Sequence, residues 1–351
     1  MDRIMREDME LAAASPAVEW EKLAGRTVLV TGATGLIGRQ LVLALLHADR
    51  LRGLSLRVLA VVRSREKAER LFAELAGAPG LQYVVQDVQE PLHIAEPVDY
   101  IVHGASVTDS KAFVEQPVET IWTVLAGSRN LLEFAREKQV RGMVFLSTME
   151  VYGTPDPSLP CVTEKDFGYL NPSEVRSSYP EAKRLTECLC ASYAKEYGVP
   201  VTVARLTQTF GAGVSYSDNR VFAQFARCVM EKKDIVLRTE GTTVRNYLYT
   251  REAVVSLLVL LTKGAPGEAY NVANSDISVS IREMAELVAA SFPEAGIRVT
   301  FDLAADAGAL GYAPPFVMRL NTDKLAALGY RPEMGLREMY ERMIAGMSEE
   351  A

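Results

Sequence analysis

Only three histidines, His47, His93 and His103, occur in a chain of 351 residues. They are too scattered to suggest a His-rich metal site or a Ser/His/Asp triad, and no metal is expected. His47 follows the apolar run Leu41–Leu46 and reads as a helix-end residue. The four cysteines, Cys161, Cys188, Cys190 and Cys228, fit neither paired C-x-x-C zinc spacing nor a dense disulfide framework. They read as reduced and structural. No run of five Lys or Arg is present and the formal net charge is -7. That balance excludes a nucleic-acid partner, whose phosphates need a basic surface. An anionic ligand must therefore meet individual arginines. The longest apolar stretches, Leu41–Leu46 and Val254–Leu261, fall far short of the roughly 20 residues a membrane helix needs. Residues 1–14 carry acids and no signal-peptide core. The expectation is a cytoplasmic protein with no membrane partner.

What the chain does have is apolar residues, 48% of the total against 24% charged. This excludes fibrous and disordered classes and supplies a core for one large α/β domain or two coupled ones. After an acidic, helical leader over residues 1–23, to which no role is assigned, the pattern reads strand (Arg26–Val30), glycine turn, helix (Leu36–Leu46). The alternation continues. Strands are expected at Leu56–Val62, Gln82–Val85, Tyr100–Val102, Gly142–Ser147 and Val201–Leu206, with helices at Glu66–Leu75, Pro117–Glu137 and Tyr179–Tyr197. Such a rhythm implies right-handed crossovers and a doubly wound parallel sheet of Rossmann type, covered on both faces. Past residue 206 it becomes irregular, with helices near Val221–Lys232, Arg251–Leu261, Ile281–Ser291 and Leu336–Met347. The division expected is a leader (1–23), a dinucleotide-binding domain (24–206) and a smaller C-terminal substrate-capping lobe (207–351) that can return a strand to the sheet.

The strongest local signal is Thr31-Gly32-Ala33-Thr34-Gly35-Leu36-Ile37-Gly38, between a strand and a helix. Glycine admits the tight turn and the close approach of backbone, and the free N–H groups at the helix start bind a pyrophosphate. An acid at the end of the second strand would bind the ribose diol of NAD, but Val62-Arg63 stands there. Arg63 tilts the reading toward NADP, and as a solvated loop residue it would say nothing, so NAD and NADP both stay open. Asp87 is placed either to accept from the adenine amino group or to cap a turn. A second constellation is Tyr179-Pro180-Glu181-Ala182-Lys183, whose i, i+4 spacing puts phenol and amine on one helical face. A nearby ammonium favours the phenolate of a tyrosine whose ordinary pKa is about 10. Thr148, ending the strand Phe145-Leu146-Ser147-Thr148, offers a hydroxyl to a substrate oxygen or caps its own strand end.

With these motifs the chain resembles the extended short-chain dehydrogenase/reductase family of nucleotide-sugar epimerases, dehydratases and decarboxylases. The resemblance spans about residues 25 to 345 and rests on TGATGLIG (31–38), STMEVYG (147–153), YPEAK (179–183), ARLTQTFG (204–211), DNRV (218–221), GTTVRNYLY (241–249) and AYNVAN (269–274). It implies catalytic roles for Thr148, Tyr179 and Lys183 and a cofactor site that also includes Val88, Ala105 and Ser106. Ser147, Met149, Gln208, Arg220 and Arg245 would face the substrate, the two arginines taking its diphosphate or nucleotide. Dimerisation is expected through the helices of residues 117–137 and 179–197.

The implied chemistry starts with removal of the sugar 4-hydroxyl proton by Tyr179 as the nicotinamide takes a hydride, giving a 4-keto sugar. Family dehydratases carry acids at the two positions after Thr148, where this chain has Met149 and Glu150. A thioether cannot donate a proton, so dehydration loses its acid. Uronate decarboxylases also carry Glu at the second position and are similar in YPEAKR, TFG and DNRV. The resemblance therefore implies an NAD(P)-dependent enzyme acting on a nucleotide sugar, with UDP-uronate decarboxylation ahead of 4-epimerisation and then 4,6-dehydration. A net oxidoreductase that releases NAD(P)H on a substrate without a nucleotide is the alternative from another class. Two departures concern substrate geometry: Gln208 and Val124 stand where relatives commonly carry Asn.

Overall fold

The computed structural model describes residues 2–75, 77–303 and 316–350. Helix α1 (Arg3–Ala14) is followed by the short turn Trp20–Leu23 and strand β1 (Thr27–Thr31), whose five residues are all buried. Helix α2 (Leu36–Arg52) ends at Gly53, whose φ of 63° closes the helix in the left-handed conformation. His47 thus lies inside α2, not at its end, because the apolar face continues past it to Ala48. Then come β2 (Arg57–Val62), α3 (Arg65–Leu71), β3 (Leu81–Val85), β4 (Tyr100–His103), the single turn α4 (Ala112–Glu115), and α5 (Pro117–Lys138), which opens with proline where no donor is needed. Strand β5 (Gly142–Thr148), α6 (Ser178–Tyr197) and β6 (Val201–Leu206) complete the alternating part.

The remainder holds β7 (Gln208–Phe210), α7 (Val221–Glu231), β8 (Ile235–Leu237), β9 (Val244–Tyr249), α8 (Thr250–Lys263), β10 (Ala269–Val272), β11 (Ser278–Ser280), α9 (Ile281–Ser291), β12 (Val299–Phe301), α10 (Asp323–Ala326) and α11 (Leu336–Glu350). Strand order in the main sheet is β10-β6-β5-β4-β1-β2-β3, every pairing parallel. The chain reverses direction of travel across the sheet between β1 and β4. In an open parallel sheet that switch point leaves a crevice at the carboxyl ends of the strands, where ligands bind. One apolar layer packs α1, α2 and α8 on one face of the sheet, and another packs α5 and α6 on the opposite face. A separate core unites α7, β8, β9, α9 and α11. Strand β10 returns to the edge of the main sheet beside β6, so the chain after residue 206 contributes to both bodies.

Candidate active site

The glycine turn forms a cradle that side chains would fill. A Cβ on Gly32, whose φ is +69°, would stand 2.7 Å from the Gly104 carbonyl carbon and 2.8 Å from the Ala105 nitrogen. A Cβ on Gly38 would stand 2.2 Å from the Gly32 oxygen, so only glycine lets α2 start this close to β1. Gly35 is the N-cap of α2 and supplies no side chain, leaving the amides that follow, at Leu36 and Ile37, directed out of the helix start. Thr34 is half-buried on the same turn. These residues fit a dinucleotide pyrophosphate: the donors are present and the space is kept clear by missing Cβ atoms.

Around the cradle, the Ala105 amide donates to Thr31 Oγ1 at 3.2 Å, and Ser106 Oγ donates to the Val107 carbonyl. Val88 is buried against Gly127 of α5, and Asn130 of the same helix donates to the Val88 and Gln89 carbonyls. Asp87 Oδ1 accepts from the Gln89 amide at 2.9 Å, so it caps a turn. Arg63 is exposed just past β2, with no ion pair among the described residues.

The structure gathers Thr148, Glu150, Tyr179 and Lys183 at the carboxyl end of β5. Thr148 Oγ1 accepts from the Glu150 amide at 3.2 Å and lies beside Tyr179, whose pKa it pulls down. Of the two roles considered for Thr148, the capping contact is the one that forms, on the turn that follows β5. Lys183 Nζ donates to the Leu146 carbonyl at 2.7 Å and lies 5.7 Å from the centre of the Tyr179 ring. Burial drives Lys183 down to about 7, against the opposing pull of Glu187. His103, held between Thr31 Oγ1 and Ser128 Oγ, is lowered to about 3 by burial first and by Lys183 second, and is neutral.

Tyr179 differs from the sequence expectation of an ammonium-assisted phenolate. Burial is the largest influence and raises it well above 10, Glu150 adds to the rise, and Thr148 and Arg176 only partly offset it. Lys183, committed to a backbone carbonyl, does not reverse the balance.

Two neighbours were not anticipated. The Phe113 ring stacks flat on Tyr179, with centroids 4.2 Å apart and planes 5° from parallel. Arg176 sits 4.9 Å over Phe113 and donates to Glu150 Oε2 at 2.9 Å. Arg176 stands three residues before Tyr179, the one local sign that could have found it; nothing local in the sequence marks Phe113. Beneath the site, Ser147 Oγ donates to Glu187, and the Arg205 guanidinium forks onto the same carboxylate. Arg205 also donates to the Tyr152 hydroxyl at 2.9 Å. Met149 is buried, its sulfur accepting from Thr207 Oγ1.

The remaining substrate candidates divide. Gln208 is half-buried on β7 and in register with Tyr247 of β9. Arg220 is exposed and its guanidinium is occupied by Asp218, with Nη2 donating at 2.6 Å, so the surface ion pair is what forms. Arg245, on β9, has no ion pair among the described residues; its Nε is buried without a hydrogen-bond acceptor, and its guanidinium lies 5.2 Å over the Phe316 ring. A buried donor without an acceptor is costly unless a ligand completes it.

Residues 28–273 match the signature of the NAD dependent epimerase/dehydratase family. The chain belongs to this family. It is 30% identical over 261 residues to UDP-glucuronic acid decarboxylase 6 of Arabidopsis thaliana, a match covering 74% of this chain and 73% of that protein. It is also 30% identical over 263 residues to UDP-glucuronic acid decarboxylase 1 of Danio rerio, where 75% of this chain spans only 60% of the longer relative. The solved structure of UDP-glucose 4-epimerase from Thermotoga maritima, with UDP-glucose, superposes with a TM-score of 0.76 at 21% identity, covering 92% of this chain and 99% of that one. That likeness shows the shared fold of epimerase/dehydratase proteins. The relatives are enzymes, and this epimerase/dehydratase chain carries a seven-stranded Rossmann-type sheet.

Proposed function

We propose that the protein is a nucleotide-sugar decarboxylase, acting on a UDP-uronate through transient oxidation at C4 in a site built from Thr148, Tyr179, Lys183 and Glu150. The observation that carries this is a carboxylate, Glu150, fixed by Arg176 beside a phenol and hydroxyl pair at the end of β5. The same reading makes residues 24–206, completed by β10 and covered by α8, the dinucleotide domain, and the rest of 207–351 the substrate lobe, with 1–23 as leader. The Gly32–Gly38 turn would hold the pyrophosphate of the cofactor, and Arg63, with no ion pair among the described residues where an acid would select NAD, favours NADP. A bound nicotinamide accepts and returns a hydride equivalent.

The chain's own groups do the rest. The positive charge of a bound oxidised nicotinamide would oppose the burial that raises Tyr179 and favour its phenolate, and in that form the Tyr179 oxygen takes the proton of the sugar 4-hydroxyl. With C4 oxidised, the C5 carboxylate belongs to a β-keto acid, which loses CO2 without a strong external base. Glu150 steers the proton that replaces it at C5. Arg245, which has no ion pair among the described residues and a buried Nε without an acceptor, takes the diphosphate, and Arg220, tied to Asp218, contributes only if that pair opens. Exposed Val118 and Trp122 on α5 and Leu185 on α6 favour a homodimer through these helices. The second reading is 4-epimerisation, favoured by the buried, non-acidic Met149.

Incubation with a panel of nucleotide sugars, read by mass spectrometry, tests the proposal. Loss of ~44 mass units from a UDP-uronate supports it, whereas an isomer of unchanged mass, or a loss of ~18, overturns decarboxylation. Steady accumulation of reduced cofactor absorbing at ~340 nm would mark a net oxidoreductase instead.

A further inference from the structure

The leader is the one part of the chain that the reaction leaves unexplained. The family match begins at residue 28, so α1 lies outside it. Its buried face, Ile4, Met5, Asp8, Met9 and Ala12, follows helical spacing and packs on α2, α8 and α11. Those partners belong to both bodies of the molecule: α2 and α8 to the layer over the main sheet, α11 to the second core. In the middle of that apolar face stands a carboxylate. Asp8 is completely buried and is gripped from three elements. Tyr249 Oη, at the end of β9, donates to Asp8 Oδ2 at 2.5 Å; Arg342 of α11 donates to Oδ1 at 2.8 Å; and Arg251 of α8 donates to Oδ1 at 3.3 Å. Arg342 closes the loop by donating to the Tyr249 hydroxyl at 3.2 Å.

A second contact points the same way. A Cβ on Gly213 would stand 2.5 Å from Met5 Cε and 3.3 Å from Gln40 Nε2, while Gln40 donates to the Ala212 carbonyl at 2.7 Å. The connection leaving β7 for the second core is therefore held between α1 and α2. Arg245 and Tyr249 share β9 and, by strand alternation, point to one side of it about 13 Å apart.

We propose that Asp8 is a positioning residue: α1 clamps the end of β9 and the start of α8 to α11, and so holds Arg245 in place for the nucleotide diphosphate of the substrate. This rests on the reading of Arg245 given above. A buried carboxylate shared by two guanidiniums and a phenol holds one geometry, because loss of the anion leaves Arg251 with no carboxylate partner among the described residues and Arg342, beyond the Tyr249 hydroxyl, with only the longer contacts to Glu7 and the Ile4 carbonyl, both at 3.4 Å. Dinucleotide binding depends on the Gly32–Gly38 turn and does not use this contact.

Binding of UDP and of NAD(P)+ to the full-length protein, measured by calorimetry for wild type, Asp8→Asn and Tyr249→Phe, tests the clamp. The expected result is UDP affinity weakened about tenfold in both variants with cofactor affinity changed less than about twofold. Unchanged UDP affinity, or cofactor affinity falling in step, overturns the proposal. If Asp8→Asn does not fold, Tyr249→Phe, which deletes a single oxygen, decides alone. A wild-type protein that binds cofactor but no UDP would overturn the nucleotide-sugar reading and the clamp with it; normal wild-type binding with indifferent variants would overturn the clamp only.

Discussion

Replacing Lys183 by Met should make the cofactor-free protein more stable, and the gain should disappear as pH rises. Lys183 is buried and its pKa falls from the ordinary 10.5 to about 7 because the surroundings penalise the ammonium. Folding at pH 7 therefore requires either a buried cation or the release of a proton that the unfolded chain would keep. Between the two values the unfolded state binds more protons than the folded one, so stability rises with pH by about 1.4 kcal/mol per unit. Below pH 7 the cost is complete, with a ceiling of about 5 kcal/mol; above 10.5 both states are neutral and the cost is gone. Methionine keeps the length of the side chain and removes the charge. It also forfeits the hydrogen bond from Nζ to the Leu146 carbonyl, which contributes about 1 kcal/mol. The net expectation is a gain of about 2–4 kcal/mol at pH 7, narrowing toward zero by pH 10. Urea unfolding of both proteins at pH 7, 8, 9 and 10 measures it. A variant less stable than wild type at pH 7, or a gap that does not change with pH, would refute the reasoning.

Three further outcomes can be checked directly. Gly38→Ala should abolish dinucleotide binding in a fluorescence titration while the fold survives by circular dichroism, since the added Cβ meets the Gly32 oxygen at 2.2 Å; retained affinity would mean the turn is not the pyrophosphate site. Glu150→Gln should slow CO2 loss from C5 at least about tenfold while sparing oxidation at C4, and equal effects on both steps would remove Glu150 from proton steering. Arg63→Asp should shift preference from NADP+ toward NAD+ by about tenfold or more in competitive binding, whereas an unchanged ratio would make Arg63 a plain surface residue.

What could be read in the sequence is what local rules control. The buried strands of the main sheet are short apolar runs, and helix α9 forms over the expected Ile281–Ser291 because Ser280 and Glu283 close a reciprocal capping box at its start. The Tyr179 and Lys183 pair was legible because helical periodicity alone puts both on one face. Strands β8, β11 and β12, with three residues each, are too short to display a period and were missed. So was the depth of Tyr179: its neighbour Phe113 comes from a segment 66 positions upstream, and stacking between remote segments leaves no spacing to detect. Arg220 was drawn into the substrate list by its motif, yet Asp218, two residues earlier, was already present to satisfy it. The leader read as an acidic helix without a role; only the three-dimensional arrangement shows that Asp8 faces inward to Arg251 and Arg342, 243 and 334 positions further along the chain.

The central claim is that Tyr179, beside Thr148 and Lys183, takes the proton from a sugar alcohol as C4 is oxidised at a bound nicotinamide. Single-turnover absorbance at ~340 nm, with UDP-glucuronate mixed into protein carrying stoichiometric oxidised cofactor, tests it most directly. The account predicts a transient rise and decay in wild type and none in Tyr179→Phe, with cofactor still bound in the variant. A transient of equal amplitude and rate in Tyr179→Phe would contradict it.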